Sequence, residues 1–399
     1  MTFLYDVVNL EYVMIIYFVV VYYLRLDVLR SFLVLGHLIV IFLLNDVLFD
    51  PKYWADQYQY FWNSRGIRTN FISNLGINSE APPLSVFFWL SDRMLIPSIL
   101  FASSPIPFIN SLQSIAMINF LLYLFSFIFL RGKKVFSNNV DFFFLLYPSF
   151  LLYSSLALRE TQIVLFMILS LYFILVEEKK LLAFIVLLPL AFIKIQNFLI
   201  IMLSYVIYMF LAKGSIQRYL IFFGICLIVI FFGDNVPLVN LLFDKINYYR
   251  YNLIAENFGY DWSFMGSYDY QPFEIGFQMI PLILKSFIYM LFKPFPWEVT
   301  NPVQLIQSIE NIFIIGLIVW IVKKNVFTLI VKRKLLFLNI LLIVSMTIYG
   351  LVTFNFGTAA RFRFPFIVVY LIFYFYFLQI DKVISRQLST GYSYMSTRL

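Results

Sequence analysis

The charges of this 399-residue chain are swept into short clusters between long apolar runs. About 20 apolar residues in helical form match the hydrocarbon core of a bilayer. Such runs occur at 8–24, 31–49, 108–130, 140–157, 161–176, 181–196, 198–212, 218–233, 303–322, 335–353 and 364–380. Hydrophobic residues make up 62% of the chain and charged residues 13%, too little polar surface to cover a water-soluble fold of this size. A soluble enzyme, a disordered chain and a coiled coil are thereby excluded. The runs are continuous rather than alternating, which argues against an outer-membrane barrel. The expected fold class is all-α, a polytopic helical membrane protein with about 11 transmembrane helices and outer-face interfacial or re-entrant helices.

The net charge of +8 orients such a chain before it says anything about a partner. Arg25 with Arg30, Arg131 with Lys133 and Lys134, Lys179 with Lys180, Lys213 with Arg218, Lys323 with Lys324, and Lys332 to Lys334 all fall on one side if the N-terminus starts outside. That side is the cytoplasm by the positive-inside rule. No nucleic-acid partner is implied. Residues 276–293 are apolar but carry Lys285 and end at KPFPWE. A crossing there would turn the last basic clusters outward. The segment therefore reads as interfacial or re-entrant, against a competing twelfth span. Residues 1–399 form a single transmembrane domain in this reading. Two long outer segments interrupt it: 50–107, with a surface helix, and 234–302, with the re-entrant or interfacial helix. The first apolar run lacks a basic n-region and a small-residue cleavage site, so it does not read as a cleaved signal peptide. One Cys and one His, His37, offer no disulfide framework and no metal site of either ligand, and no cofactor is expected.

The outer face then holds the informative charges. Asp56 sits among Tyr53, Trp54, Tyr58, Tyr60 and Trp62, with Arg65 and Arg68 close by. A carboxylate there can act as a base, and aromatic rings can seat sugars. An interfacial aromatic belt would account for the rings equally. Asp92 with Arg93 reads as a structural pair. Arg159 and Glu160 fall in the turn of YSSLALRE, and Lys194 with Gln196 and Asn197 in the next tight outer turn. Charges at membrane depth are expensive and tend to mark sites. The two cations could line one outward cavity. In the long outer loop Lys245, Arg250, Glu256 and Asp261, with Tyr248, Tyr249, Tyr251, Tyr260 and Trp262, suit a polyhydroxylated ligand or a merely solvated loop. Pro294 and Pro296 stop a helix, and Trp297 and Glu298 follow at once, with Glu310 inside the next run. Arg361 and Arg363 lie outside against the charge bias, two planar forks suited to pyrophosphate or to anionic lipid.

The early YWADQYQY, the turn LYPSFLLYSSLALRE, the segment FKPFPWEVTN followed by Glu310–Asn311, and the late RFRFP together resemble bacterial Wzy-type O-antigen and capsular polysaccharide polymerases and related GT-C-like membrane glycosyltransferases. The resemblance implies polymerisation of undecaprenyl-pyrophosphate-linked oligosaccharide repeat units at the outer face of the bacterial inner membrane. It implies outward Arg residues and no metal. The partners would be a lipid-linked glycan donor and acceptor, membrane lipids and a chain-length regulator protein. Arg250 is followed by Gly259 and Gly266, not by a Gly eleven residues on as in some members. On this reading Asp56 and Glu298 are the candidate bases, and Arg159 acts at the leaving group. Arg361, Arg363, Arg250, Lys194, Trp297 and Tyr58 bind substrate. A GT-C transferase moving one sugar from a polyprenyl phosphate is the nearest alternative. A lipid-linked oligosaccharide flippase is the non-enzyme one, and it should carry charges along a central path with short loops on both sides.

Overall fold

The computed structural model describes residues 2–45, 56–74, 92–136, 138–212, 214–257, 274–323, 329–353 and 356–396, and these are helical and contain no extended strand. Five helices are long and apolar enough to cross a membrane: Leu4–Leu24, Leu112–Gly132, Pro302–Trp320, Val331–Val352 and Phe356–Ser385. Six shorter apolar helices accompany them. The chain divides into two compact units, Met1–Leu199 with Leu371–Tyr376, and Ile200–Tyr370 with Phe377–Leu399.

The first unit contains α1 (Thr2–Leu24), α2 (Val28–Leu44), α3 (Asp56–Asn74), α4 (Asp92–Ala102), α5 (Leu112–Gly132), α6 (Asn138–Leu146), α7 (Pro148–Ser154), α8 (Glu160–Leu175) and α9 (Lys180–Ile193). Its helices start and stop where local chemistry says they should. Asp27 accepts the Arg30 N–H and caps α2, and Ser111 and Ser114 form a capping box on α5. The run at 140–157 is not one helix. Pro148 has no N–H to give Phe144, so the helix breaks at Tyr147 into α6 and α7. Arg25, Lys134 and Glu178 take positive φ after α1, α5 and α8, the left-handed residue that closes a helix.

These three turns share one end of the unit through ion pairs. Asp141 accepts from Arg30 at 3.2 Å and Arg131 at 3.0 Å, and Glu177 accepts from Lys133 at 3.3 Å and Lys179 at 2.6 Å. The basic clusters at Arg30, Arg131, Lys133 and Lys179, grouped on one side by the charge rule, therefore meet in space. From this end α6 and α7 lead to a loop at 155–159, and α8 returns from it.

The second unit contains α11 (Ile216–Phe232), α12 (Pro237–Asn257), α13 (Met279–Phe292), α14 (Pro302–Lys323), α15 (Leu329–Val352) and most of α16 (Phe356–Ser396). Helix α10 (Ile195–Leu211) begins in the first unit and continues in the second. Helix α13 corresponds to the apolar segment 276–293. Its 14 residues extend about 21 Å at ~1.5 Å per residue, short of the ~30 Å hydrocarbon core. It packs closely along α15. A Cβ added at Gly350 would overlap the Ser286 carbonyl and press on the Met290 Cβ, so the two backbones touch there. Met279 and Leu351 form a small core that Phe243, Ile246, Leu282 and Ile283 close from α12 and α13.

Two outcomes follow. Gly350→Ala forces backbone apart from backbone and destabilises the second unit by at least about 1–3 kcal/mol, read as a lower thermal midpoint in detergent; an unchanged midpoint contradicts the crossing. Hydrogen bonds from Lys179 first, then from Tyr172 and Lys133, outweigh desolvation and hold the Glu177 carboxyl down to about 2 from 4.5. A depressed carboxyl stabilises the fold above its unfolded value and loses that contribution as the pH falls through its folded value. The α8–α9 turn thus weakens between pH 4.5 and about 2, and Glu177→Gln removes that step from an acid titration of thermal stability.

Candidate functional site

The loop 155–159 joins α7 to α8, and amide side chains from three other elements hold it. Asn45, which ends α2, donates Nδ2 to the Ser155 carbonyl at 2.9 Å. Asn119 of α5 donates Nδ2 to the Leu156 and Leu158 carbonyls at 2.6 and 2.7 Å. Gln57 of α3 accepts the Ala157 N–H at 2.9 Å. The Leu158 N–H closes onto the Leu156 carbonyl at 2.9 Å, a three-residue turn that helix or strand could not supply. Each bond answers the same need, because backbone groups of a buried loop must find partners inside the protein. Asn45, Asn119, Gln57 and the loop residues 155–158 are all buried.

This loop gathers several of the residues singled out by their charge. Arg159 ends it and donates Nη1 to the Ile193 carbonyl at 2.9 Å. Ile193 is the last residue of α9, and Lys194 follows as a one-residue interruption with φ −155° and ψ 86°. The polar stretch expected as a tight turn is therefore a single residue, with Gln196 and Asn197 already in α10. Arg159 thus reaches the carbonyl of the residue that precedes Lys194. Lys194 is 5% exposed and Glu160 0%, so both charges sit inside the protein at this end. Asp56 is the first residue of α3 and precedes Gln57, whose side chain reaches the same loop. Asp56 and Tyr58 are half-buried.

Other predicted site residues are committed to helix ends. Arg363 is 1% exposed, and its Nη1 donates to the carbonyls of Met290, Leu291 and Lys293 at 3.1, 3.3 and 2.8 Å. Asn311 Nδ2 takes the Phe292 and Pro294 carbonyls at 2.9 and 3.4 Å. Between them they answer the last carbonyls of α13, where the helix dipole also favours a cation. Arg250 is 2% exposed and donates Nη1 at 2.5 Å to the carbonyl of Leu351, at the end of α15. Arg68 does the same for α4, with Nε, Nη1 and Nη2 on the carbonyls of Ala102, Ile106 and Ser104 at 2.8, 2.6 and 2.6 Å. Desolvation pulls its pKa down.

Glu298 braces the turn after the cis Lys293–Pro294 bond. It accepts the Phe295 N–H at 3.0 Å and pairs with Lys293 at 2.9 Å. Trp297 is 79% exposed and stacks on Phe295, with ring centroids 4.9 Å apart and planes 10° apart. Tyr248 and Tyr249 are exposed on α12 and meet edge to face. Arg361 is half-buried near the start of α16. Glu310 is buried on α14 beside Gln307, Ser308 and Asn311. Tyr53, Trp54, Tyr260, Asp261 and Trp262 lie outside the described residues. Arg361, Arg363, Arg250, Glu298 and Trp297 belong to the second unit, and Asp56, Tyr58, Arg159 and Lys194 to the first.

Among the described residues no group of three His, Cys, Asp or Glu side chains could hold a metal ion. His37 lies buried, with Nε2 2.8 Å from the Ser154 Oγ and its ring against Phe120 and Tyr123. The buried amides that build the loop were missed by sequence reasoning. Their signal was Asn45 at the end of an apolar run and Asn119 within one, each too costly to bury without a partner. No known family model, curated protein or solved structure matches the chain.

Arg363→Ala strands the buried Met290 and Leu291 carbonyls at about 1–3 kcal/mol each and lowers the detergent thermal midpoint sharply. Arg363→Lys, which keeps a cation but loses the fork, falls between the two. A midpoint unchanged in the alanine variant contradicts the cap.

Proposed function

We propose that the chain is a membrane glycosyltransferase that polymerises undecaprenyl-pyrophosphate-linked oligosaccharide repeats at the outer face of the bacterial inner membrane. It crosses the membrane about eleven times, with α13 as a re-entrant or interfacial helix. The observation that carries the reading is the loop 155–159, which gathers Asp56, Arg159 and Lys194 at the end of the first unit away from the Asp141 and Glu177 ion pairs. The charge rule makes that end the outer one.

The step needs a base for an acceptor hydroxyl and a cationic site for a departing pyrophosphate. Asp56 takes the hydroxyl proton. The acceptor oxygen bonds to the donor's anomeric carbon, and the bond from that carbon to the pyrophosphate oxygen breaks. The pyrophosphate leaves with the electron pair, and Arg159 and Lys194 offset its charge. Cleavage of the sugar–pyrophosphate bond supplies the driving force. Tyr58, half-buried in the first turn of α3, supplies an aromatic ring that can seat a sugar.

Arg363 and Arg250 are held on backbone carbonyls, and Arg159 commits one Nη to the Ile193 carbonyl, which leaves fewer cationic donors for a pyrophosphate than the sequence suggests. That favours, as a second reading, a GT-C transferase whose donor carries one phosphate. Polymer length separates mutants of the first reading. In cells whose only copy is the variant, Asp56→Asn lowers polymer output by about 10²-fold or more, in line with loss of a general base. Arg159→Ala shortens the surface glycan to single repeats while the protein still accumulates. Wild-type ladders from both variants overturn the site.

A further inference from the structure

The loop that presents Arg159 and the helix that presents Asp56 belong to distant parts of the chain, and the Gln57 side chain reaches from one to the other. Gln57 is 4% exposed, and its Oε1 accepts the Ala157 N–H at 2.9 Å. Asp56 is its neighbour on one side of this bond, and Arg159 lies two residues beyond Ala157 on the other. The rest of the loop does not depend on Gln57. Asn45 and Asn119 hold the carbonyls of Ser155, Leu156 and Leu158, and Arg159 is anchored on Ile193. Helix α3 is itself tied further along, where Arg68 grips the end of α4 and the segment after it. Gln57 therefore has a narrower task than folding the loop or the helix. It sets the first turn of α3 in register with the loop.

We infer that Gln57 is a positioning residue, which fixes the distance between the Asp56 carboxylate and the Arg159 guanidinium for the transfer step. This rests on the proposed transferase reading. It adds a residue type that carries no charge and that no catalytic motif would select. Geometry makes the role consequential, because a shift of about 1 Å in a reacting group can cost on the order of 10²-fold in rate. Gln57 touches the loop and neither reacting atom, so its loss acts on the rate through Asp56 and leaves substrate binding by Arg159 and Lys194 in place.

The test uses the full-length protein in proteoliposomes. The probe is the host's own extracted undecaprenyl-pyrophosphate-linked repeat, and amide exchange at Ala157 is followed in parallel. Gln57→Leu removes the acceptor, so Ala157 exchanges at least tenfold faster while the amides of α8 keep their protection. The turnover number falls about 10- to 100-fold, and KM stays within about threefold. Gln57→Glu keeps an acceptor oxygen at the same reach, restores Ala157 protection and recovers most of the turnover. Unchanged turnover in Gln57→Leu overturns the inference, as does a loss that falls on KM, or a Gln57→Glu protein that protects Ala157 yet stays slow. Wild-type protein that extends no glycan defeats the transferase reading instead. The exchange arm then stands alone, and unchanged exchange at Ala157 in Gln57→Leu overturns the tie itself.

Discussion

Among the described residues, at least four helices end against an arginine. Arg68 holds the end of α4, Arg159 that of α9, Arg250 that of α15 and Arg363 that of α13. The last turn of any helix leaves carbonyls without intrahelical partners, and in a membrane no water is at hand to take them. A guanidinium offers several N–H groups in one plane, stays charged, and meets the negative end of the helix dipole. A short helix that stops inside the protein needs such a group, or a neutral donor, at its end. Helix α13 is the clearest case, since Arg363 and Asn311 together answer five of its terminal and following carbonyls. The same helix crosses α15 closely at Gly350.

The same need explains the loop 155–159 with neutral groups. Asn and Gln carry both a donor and an acceptor, so Asn45 and Asn119 can answer carbonyls while Gln57 answers an N–H. A loop fastened this way presents Arg159 without rotational freedom in its backbone. Preorganisation of that kind lets a cation act on developing charge without first reorienting. The first unit thus has two polar ends of different character. One is tied by paired charges at Asp141 and Glu177, and the other is built from amides around a few buried ions.

Much of the fold was legible in the sequence because apolar runs and helix breakers are local. All eleven predicted runs contain helix, and the segment 276–293 contains the short α13. The break at Tyr147 was missed because Pro148 lies in an apolar stretch whose hydropathy hides it. Part of the charge grouping was also legible: Arg30, Arg131, Lys133 and Lys179 do meet at one end of the first unit. The partner of each outer charge was not. An arginine facing a helix end and one facing a phosphate obey the same cost argument, and only tertiary placement separates them. Arg363, Arg250 and, through one Nη, Arg159 went to carbonyls, and Glu298 to its own turn. Arg159 was expected near Lys194, and it donates to the carbonyl of Ile193, the residue before Lys194.

The functional account therefore rests on a smaller set than outward charge alone would nominate: Asp56, Arg159 and Lys194 around one fastened loop. The most direct measurement is product analysis with purified protein in detergent, where no transport across a membrane is possible. A lipid-linked repeat supplied to the wild-type protein should grow into a ladder spaced by one repeat unit. A product longer by a single sugar, or no extension at all, would contradict the account.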